Sequence, residues 1–353
     1  MQAVKRYTSE TEADDYVVDP DVPITDPHHH IWQDDGLIPY SVDDFLADGT
    51  SGHRVERSVF VECDQGYRTD GPEDLRPVGE TELARGYARD SRVGPGPDIV
   101  GILPVLNARL ETDHLRVIEA HEQAGAGLVR GFRARVGYDP ARQYVPKGHE
   151  QWPGQLQIPN FLEAVRILGR RNLALDLIFY HPQLPEVAEF ARQVPDTTIV
   201  LNHLAFPIGI GGYAGREAEV EADLRRGIDL CAALPNVRMK LGGFGMALFG
   251  YPWPDNGRPA NSDEIVDLVG SRVAFMIDAF GPDRCMFESN FPVDALSFGY
   301  RTFWNAAKKM VAPYSAEERD LMLRLTAERT YGLGLDDDPR PIPPSRDGRT
   351  PTP

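Results

Sequence analysis

Val22-Pro23-Ile24-Thr25-Asp26-Pro27-His28-His29-His30-Ile31-Trp32 reads as an apolar β-strand that ends in a histidine cluster, and the fold turns on that reading. Side chains two apart on a strand share a face, so Asp26, His28 and His30 are expected together, with His29 pointing away. Two imidazoles brought to one spot can share a divalent metal or donate jointly to a substrate oxygen. The plainer alternative is a polar cluster that happens to be rich in histidine.

Outward from this stretch, short β-rich runs alternate with longer amphipathic segments. The candidate strands are Ile24–Trp32, Arg57–Cys63, Ile99–Leu106, Leu128–Arg133, Ala174–Tyr180, Thr198–His203, Val237–Gly242 and Cys285–Phe291. Helical patterns cover Glu80–Arg92, His114–Ala124, Phe161–Arg170, Pro185–Gln193, Arg216–Ala233, Ser262–Phe280 and Ser315–Thr330, the last opening with a capping-box spacing. Parallel strands with helical crossovers, eight in number, predict a single (β/α)8 TIM barrel in the α/β class. Two Gly-, Pro- and aromatic-rich inserts, Gly137–Ile158 and Gly243–Asn261, each follow a strand and so belong to the face that carries chemistry. The expected organisation is a polar arm over 1–20, the barrel over 21–335, and a Pro-rich, disordered C-terminal tail over 336–353.

A chain of 353 residues with a net charge of -17 repels nucleic acid and anionic membranes, which leaves small molecules or other proteins as partners. The cysteines, Cys63, Cys231 and Cys285, are few and far apart, so neither a disulfide framework nor a thiolate metal site is indicated. No apolar run reaches the length of a membrane span, and the polar first twenty residues do not read as a signal; a cytoplasmic location is expected.

Polar residues at the C-terminal ends of barrel strands face the active site. His203 closes the sixth strand and joins His28 and His30. Glu288 and Asn290 share a face of the eighth, which Pro292 ends. Lys240 lies at the end of the seventh, where its charge can stabilise an oxyanion or pair with Glu288. Arg133 ends the fourth strand and can grip a carboxylate bidentately, whereas Arg130 reads as a surface residue. Tyr180 and His181 end the fifth strand. Trp32 and Trp253 are candidates for pocket wall, and His53, His114, His121 and His149 read as solvated.

Asp26-x-His28-x-His30, the strand-ending His203, Lys240-Leu241-Gly242 and Glu288-Ser289-Asn290-Phe291-Pro292, in that order, resemble the amidohydrolase superfamily, and more narrowly its amidohydrolase-related branch of lactonases and small-acid hydrolases. The resemblance covers about residues 22 to 335. It implies that His28, His30 and His203 bind a divalent metal, zinc or manganese, or in a metal-free site polarise the substrate carbonyl. It implies opening of a lactone of a small organic acid, with Arg133 anchoring a carboxylate and Tyr180, His181, Lys240 and Trp32 contacting substrate. Such barrels are often homodimers.

One departure matters chemically. The family carries an Asp on the eighth strand that accepts the proton of the attacking water, and here that position is Asn290, with Glu288 where a Gly is expected. A carboxamide cannot take that proton. Three readings follow: Glu288 is a relocated base, its pKa raised by burial; or a metal lowers the pKa of its water to about 7 while Asn290 orients it; or the barrel has kept binding without hydrolysis, or performs lyase or decarboxylase chemistry. A metal-dependent decarboxylase of an aromatic acid requires His181 as a ligand.

Overall fold

The computed structural model describes residues 6–8, 10–33, 38–107, 113–139, 153–253 and 257–333. The 336–353 tail, His149 and most of the 137–158 insert lie outside them. Eight strands appear where the apolar runs place them: β1 Pro23–His29, β2 Arg54–Val61, β3 Asp98–Leu103, β4 Gly131–Arg135, β5 Ala174–Ile178, β6 Ile199–Leu201, β7 Val237–Leu241 and β8 Cys285–Phe287. Every pairing is parallel, in the orders β1-β2-β3 and β4-β5-β6-β7-β8. Bridges close the two seams: Ile102 with Val129 and Val105 with Arg133 join β3 to β4, and His29 with Phe291 joins the β8 end to β1. The amide of His30 donates to the Phe291 carbonyl (2.7 Å) and that of Asn290 to the His28 carbonyl (3.0 Å), so the first and last strands are stitched together at the histidines.

The surrounding helices are α1 Val42–Gly49, α2 Val78–Ser91, α3 His114–Gly125, α4 Pro159–Arg170, α5 Leu184–Gln193, α6 Glu217–Ala232, α7 Ser262–Phe280 and α8 Tyr300–Val311. The final helical stretch is α9 Ala316–Asp320, a π turn over Leu321–Leu325, and α10 Thr326–Tyr331. Helices α1 and α8 have no counterpart in the sequence reading. The first has only 8 residues; the second was missed although Tyr300, Phe303, Trp304, Ala307 and Val311 keep helical spacing.

Two cores result. Outward-facing strand residues such as Phe132, Leu175, Leu201, Val237 and Phe287 pack against the helices in one large cluster. Inside the barrel, Val59, Val61, Leu103, Ala174, Val200 and Met286 form a small separate one, closed from below by Ala327, Tyr331 and Leu333. Two residues further along the strands the inward side becomes polar, at Asp176 on β5, Lys240 on β7 and Glu288 past β8. An apolar floor thus carries a charged layer, and the histidines join it at the strand ends.

Residues 10–18 are tied to the helix layer. Glu12 accepts from the Thr302 amide (2.9 Å), Asp14 from the Ser262 amide (3.2 Å), and the Val18 amide donates to Asn305 (2.7 Å). No helix among the described residues is long and apolar enough to cross a membrane. The three cysteines are free and buried. His53, His114 and His121 are buried rather than solvated. His121 illustrates why: it lies on the inner face of α3, where its Nδ1 meets Thr81 Oγ1 at 2.7 Å.

Candidate active site

Glu288 is the hub of the centre. Its Oε1 lies 2.6 Å from His203 Nδ1 and its Oε2 2.7 Å from His28 Nδ1, with all three side chains almost wholly buried. The glycines after β7 make room for this. A Cβ on Gly242 would fall 2.4 Å from Glu288 Cγ, and one on Gly243 2.7 Å from His203 Cβ. The backbone also turns sharply to present His203: residues 203–206 all have positive φ, between 49° and 60°. Four successive non-glycine residues in that region are costly locally and need firm tertiary support.

His28 Nδ1 lies 2.7 Å from Glu288 Oε2 and 3.3 Å from Lys240 Nζ. His30 donates from Nδ1 to the Val61 carbonyl (2.8 Å) and keeps its lone pair on Nε2. The Nε2 atoms of His28 and His30 are 3.2 Å apart. Burial, reinforced by Lys240 beside His28 and Arg133 beside His30, holds both imidazoles well below the ordinary histidine pKa. These Nε2 atoms are ligand-type nitrogens brought to one spot on neutral rings. His28, His203 and Glu288 also each offer a ligand atom within 4.8 Å of the others. The donor set therefore fits a divalent cation.

Glu288 departs from the expected direction. Burial alone would push its carboxyl up, but the His203 and His28 imidazoles facing its oxygens hold it well below the usual carboxylate range. A low-pKa carboxylate with both oxygens engaged orients its neighbours better than it takes up protons. Asn290, in the left-handed region with φ 54°, faces away from this pair: its Nδ2 donates to Asp294 Oδ1 (2.9 Å). Burial pushes the Asp294 carboxyl well above its ordinary value, and its other oxygen accepts from the Gly245 amide (3.0 Å).

Around this hub the expected residues take other partners. Lys240 Nζ donates to Asp176 Oδ2 (2.7 Å) and the Pro27 carbonyl (2.9 Å), and is 3.7 Å from Glu288. Asp176 also accepts from Tyr331 Oη (2.7 Å). Arg133 is buried; its Nε donates to Glu62 Oε1 (2.7 Å), its Nη2 to the Glu62 carbonyl, and its Nη1 lies 3.3 Å from His28 Nε2. Trp32 stacks on His30 with ring centroids 5.4 Å apart and donates to the Cys63 carbonyl. Tyr180 packs on Phe206, beside His203. His181 accepts from the Ile208 amide (3.2 Å) and packs on Tyr213; it is not one of the residues converging with His28 and His203. Trp253 is core, against Tyr251 and Phe298.

Asp26 does not share the side of β1 that carries His28 and His30. Its carboxylate accepts from the Ser289 amide (3.0 Å) and from Tyr300 Oη on α8 (2.9 Å), because a register shift between Asp26 and His29 breaks the two-residue alternation. His29 does point away, stacked on Phe45 at 3.9 Å. Glu62, Asp176 and Asp294 escaped the sequence reading. An Asp inside the apolar Ala174–Ile178 run was the visible signal, since acids are rarely buried without a partner.

The uncharacterized protein y4mH of Sinorhizobium fredii is 30% identical over 335 residues, covering 88% of this chain and 99% of that protein. An L-fucono-1,5-lactonase of Burkholderia multivorans is 28% identical over 175 residues, 49% of this chain and 56% of that enzyme. Among solved structures, an amidohydrolase from Burkholderia multivorans with bound zinc aligns with a TM-score of 0.62 at 22% identity, over 88% of this chain and 99% of that one, a likeness of fold. The amidohydrolase family model matches residues 25–333, from within β1 to past α10 and including all the residues of the centre; the chain belongs to the amidohydrolase family.

Proposed function

We propose that this chain opens a lactone, a cyclic ester of a small organic acid, by hydrolysis, with His203 as the group that takes the proton from water. The observation that carries this reading is the His203 Nδ1 to Glu288 Oε1 contact of 2.6 Å. It fixes the imidazole with its second nitrogen as the lone pair, the arrangement by which a carboxylate orients a catalytic histidine. Glu288 stabilises the imidazolium that forms when His203 accepts the proton. Water then attacks the ring carbonyl, the C–O bond to the ring oxygen breaks, and His203 returns the proton to the departing alkoxide, giving the open hydroxy acid. Arg133 Nη1, 3.3 Å from His28 Nε2, has a second N–H for an oxygen of the substrate.

A divalent ion held by the Nε2 atoms of His28 and His30 would supply, when bound, polarisation of the carbonyl and a lowered pKa for water, leaving His203 Nε2 to take the proton. The match to a named lactonase over half the chain supports the same reaction. A decarboxylase would need His181 among the ligands, and its placement does not favour that reading.

Titrating acid release from a panel of γ- and δ-lactones tests the reading. His203→Asn should lower kcat by about 10²-fold or more, and Glu288→Gln by a comparable amount. Unchanged turnover in His203→Asn would remove His203 as the base. Elemental analysis of the purified protein, with turnover before and after chelation, reports whether the centre holds an ion and whether turnover depends on it.

A further inference from the structure

Arg133, Arg135 and Lys240 bring positive charge to the centre, and each is already matched. Glu62, at the end of β2 and wholly buried, closes two guanidinium forks at once. Its Oε1 accepts from Arg133 Nε (2.7 Å) and Arg135 Nε (2.9 Å), its Oε2 accepts from Arg135 Nη2, and its carbonyl accepts from Arg133 Nη2. Arg135 Nη1 is held by Asp64 (2.6 Å). Lys240 is held by Asp176 and by the Pro27 carbonyl. Three cations thus face four carboxylates, Glu62, Asp64, Asp176 and Glu288.

Bidentate recognition of a carboxylate needs a guanidinium edge with two parallel N–H groups. On both arginines the Nε–Nη2 edge is spent on Glu62. What Arg133 retains is Nη1, 3.3 Å from His28 Nε2, whose second N–H can donate to a neutral oxygen such as a hydroxyl or a carbonyl. A carboxylate brought to this place would meet the Glu62 charge and find the Nε–Nη2 edge of both arginines taken, and juxtaposed like charges are a strong means of rejection.

We infer that Glu62 is a specificity-determining residue: by closing Arg133 and Arg135 it makes the site take a lactone whose ring substituents are uncharged, hydroxyls rather than carboxylates. This rests on the lactone-opening reading for the reaction, but the charge preference can be measured apart from it. Glu62 would act by withholding its partners, without touching substrate.

Binding and turnover are read separately on the full chain. Calorimetric titration uses two non-hydrolysable δ-lactams, a polyhydroxylated ring and the same ring bearing a carboxylate; turnover uses the corresponding lactones. The wild-type chain should bind the uncharged lactam about tenfold tighter or more, and kcat/KM should show the same preference. Glu62→Gln should narrow or invert it, chiefly through KM and Kd for the carboxylated ligand. Glu62→Asp keeps the charge but shortens its reach, and should narrow the preference part of the way even where the Gln variant does not fold. Tighter binding of the carboxylated lactam by the wild-type chain overturns the inference and leaves lactone opening standing. Preference for the uncharged lactam without turnover of either lactone supports the inference and removes the reaction. A preference unchanged in a folded Glu62→Gln or Glu62→Asp overturns the role of Glu62.

Discussion

Asn290 stands where the sequence resemblance expects a catalytic Asp, and placing an acid there should not supply a base. Its side chain donates to Asp294, whose carboxyl burial already pushes well above its ordinary value. Asn290→Asp would set two carboxyls together, and two buried acids at hydrogen-bond distance cannot both ionise. Turnover should not rise, and stability should fall by about 1–3 kcal/mol, increasingly at higher pH. Adding Asp294→Asn should recover much of the loss in a urea titration. Glu80 offers a second residue-level outcome. Burial, then the nearby Glu62 charge, pushes its carboxyl up to about 8, while its Oε1 accepts from the Cys63 and Gln65 amides, both at 2.8 Å. Its folded pKa is raised, so the folded chain keeps a proton that the unfolded chain loses above about 4.5. Its contribution to stability is therefore whole at low pH and fades as pH climbs from 4.5 towards 8. Glu80→Gln keeps the acceptor without the charge and should flatten that decline, gaining about 2–4 kcal/mol near pH 8 in denaturant melts. At this scale the sequence revealed the histidines and Glu288, because strand ends in a barrel mark themselves. It concealed the acids that neutralise Arg133 and Lys240, since which inward residues meet across a barrel depends on strand stagger rather than on spacing within one strand.

Among the elements, all eight strands were legible because parallel strands buried on both faces read as short apolar runs between turns. Their polar ends were read as strand when several residues are not: β8 stops at Phe287, and the ladder gives way at Glu288 to a conformation that aims side chains at the centre. Helix α1 was passed over although Ser41 and Asp44 form a reciprocal capping box that its sequence displays. Helices α7 and α8 draw N-terminal partners from far away in the chain, Asp14 for the first turn of α7 and Glu12 for that of α8. Such long-range caps have no local signature. Asp14→Ala removes the acceptor for both the Ser262 amide and Asn305 Nδ2, and should cost about 1–2 kcal/mol by thermal melting, while Asp15→Ala, at an exposed neighbour, should cost little.

For the whole molecule, the polar layer above the barrel floor is completed by a residue from the far end of the chain. Tyr331 passes its hydroxyl proton towards Asp176, which in turn holds Lys240 beneath His28. Burial raises the Asp176 carboxyl against the lowering pull of Lys240, so each partner of this acid matters to its charge. Tyr331→Phe should lower stability by about 1–3 kcal/mol and leave the fold intact by circular dichroism. Removing everything from Thr326 onward should instead abolish cooperative unfolding, since Ala327, Tyr331 and Leu333 leave the inner core together and Glu328 abandons Thr25 and Arg57.

That plug also sets an order of events on the ribosome. The strands emerge first, yet the floor on which their charged layer rests arrives with the last described helix. Until residue 331 is free of the exit tunnel, Lys240 and Asp176 sit above an open, wettable hole. Arrested nascent chains of increasing length should therefore gain protease resistance late and in a single step, when α10 is released to close the barrel from below.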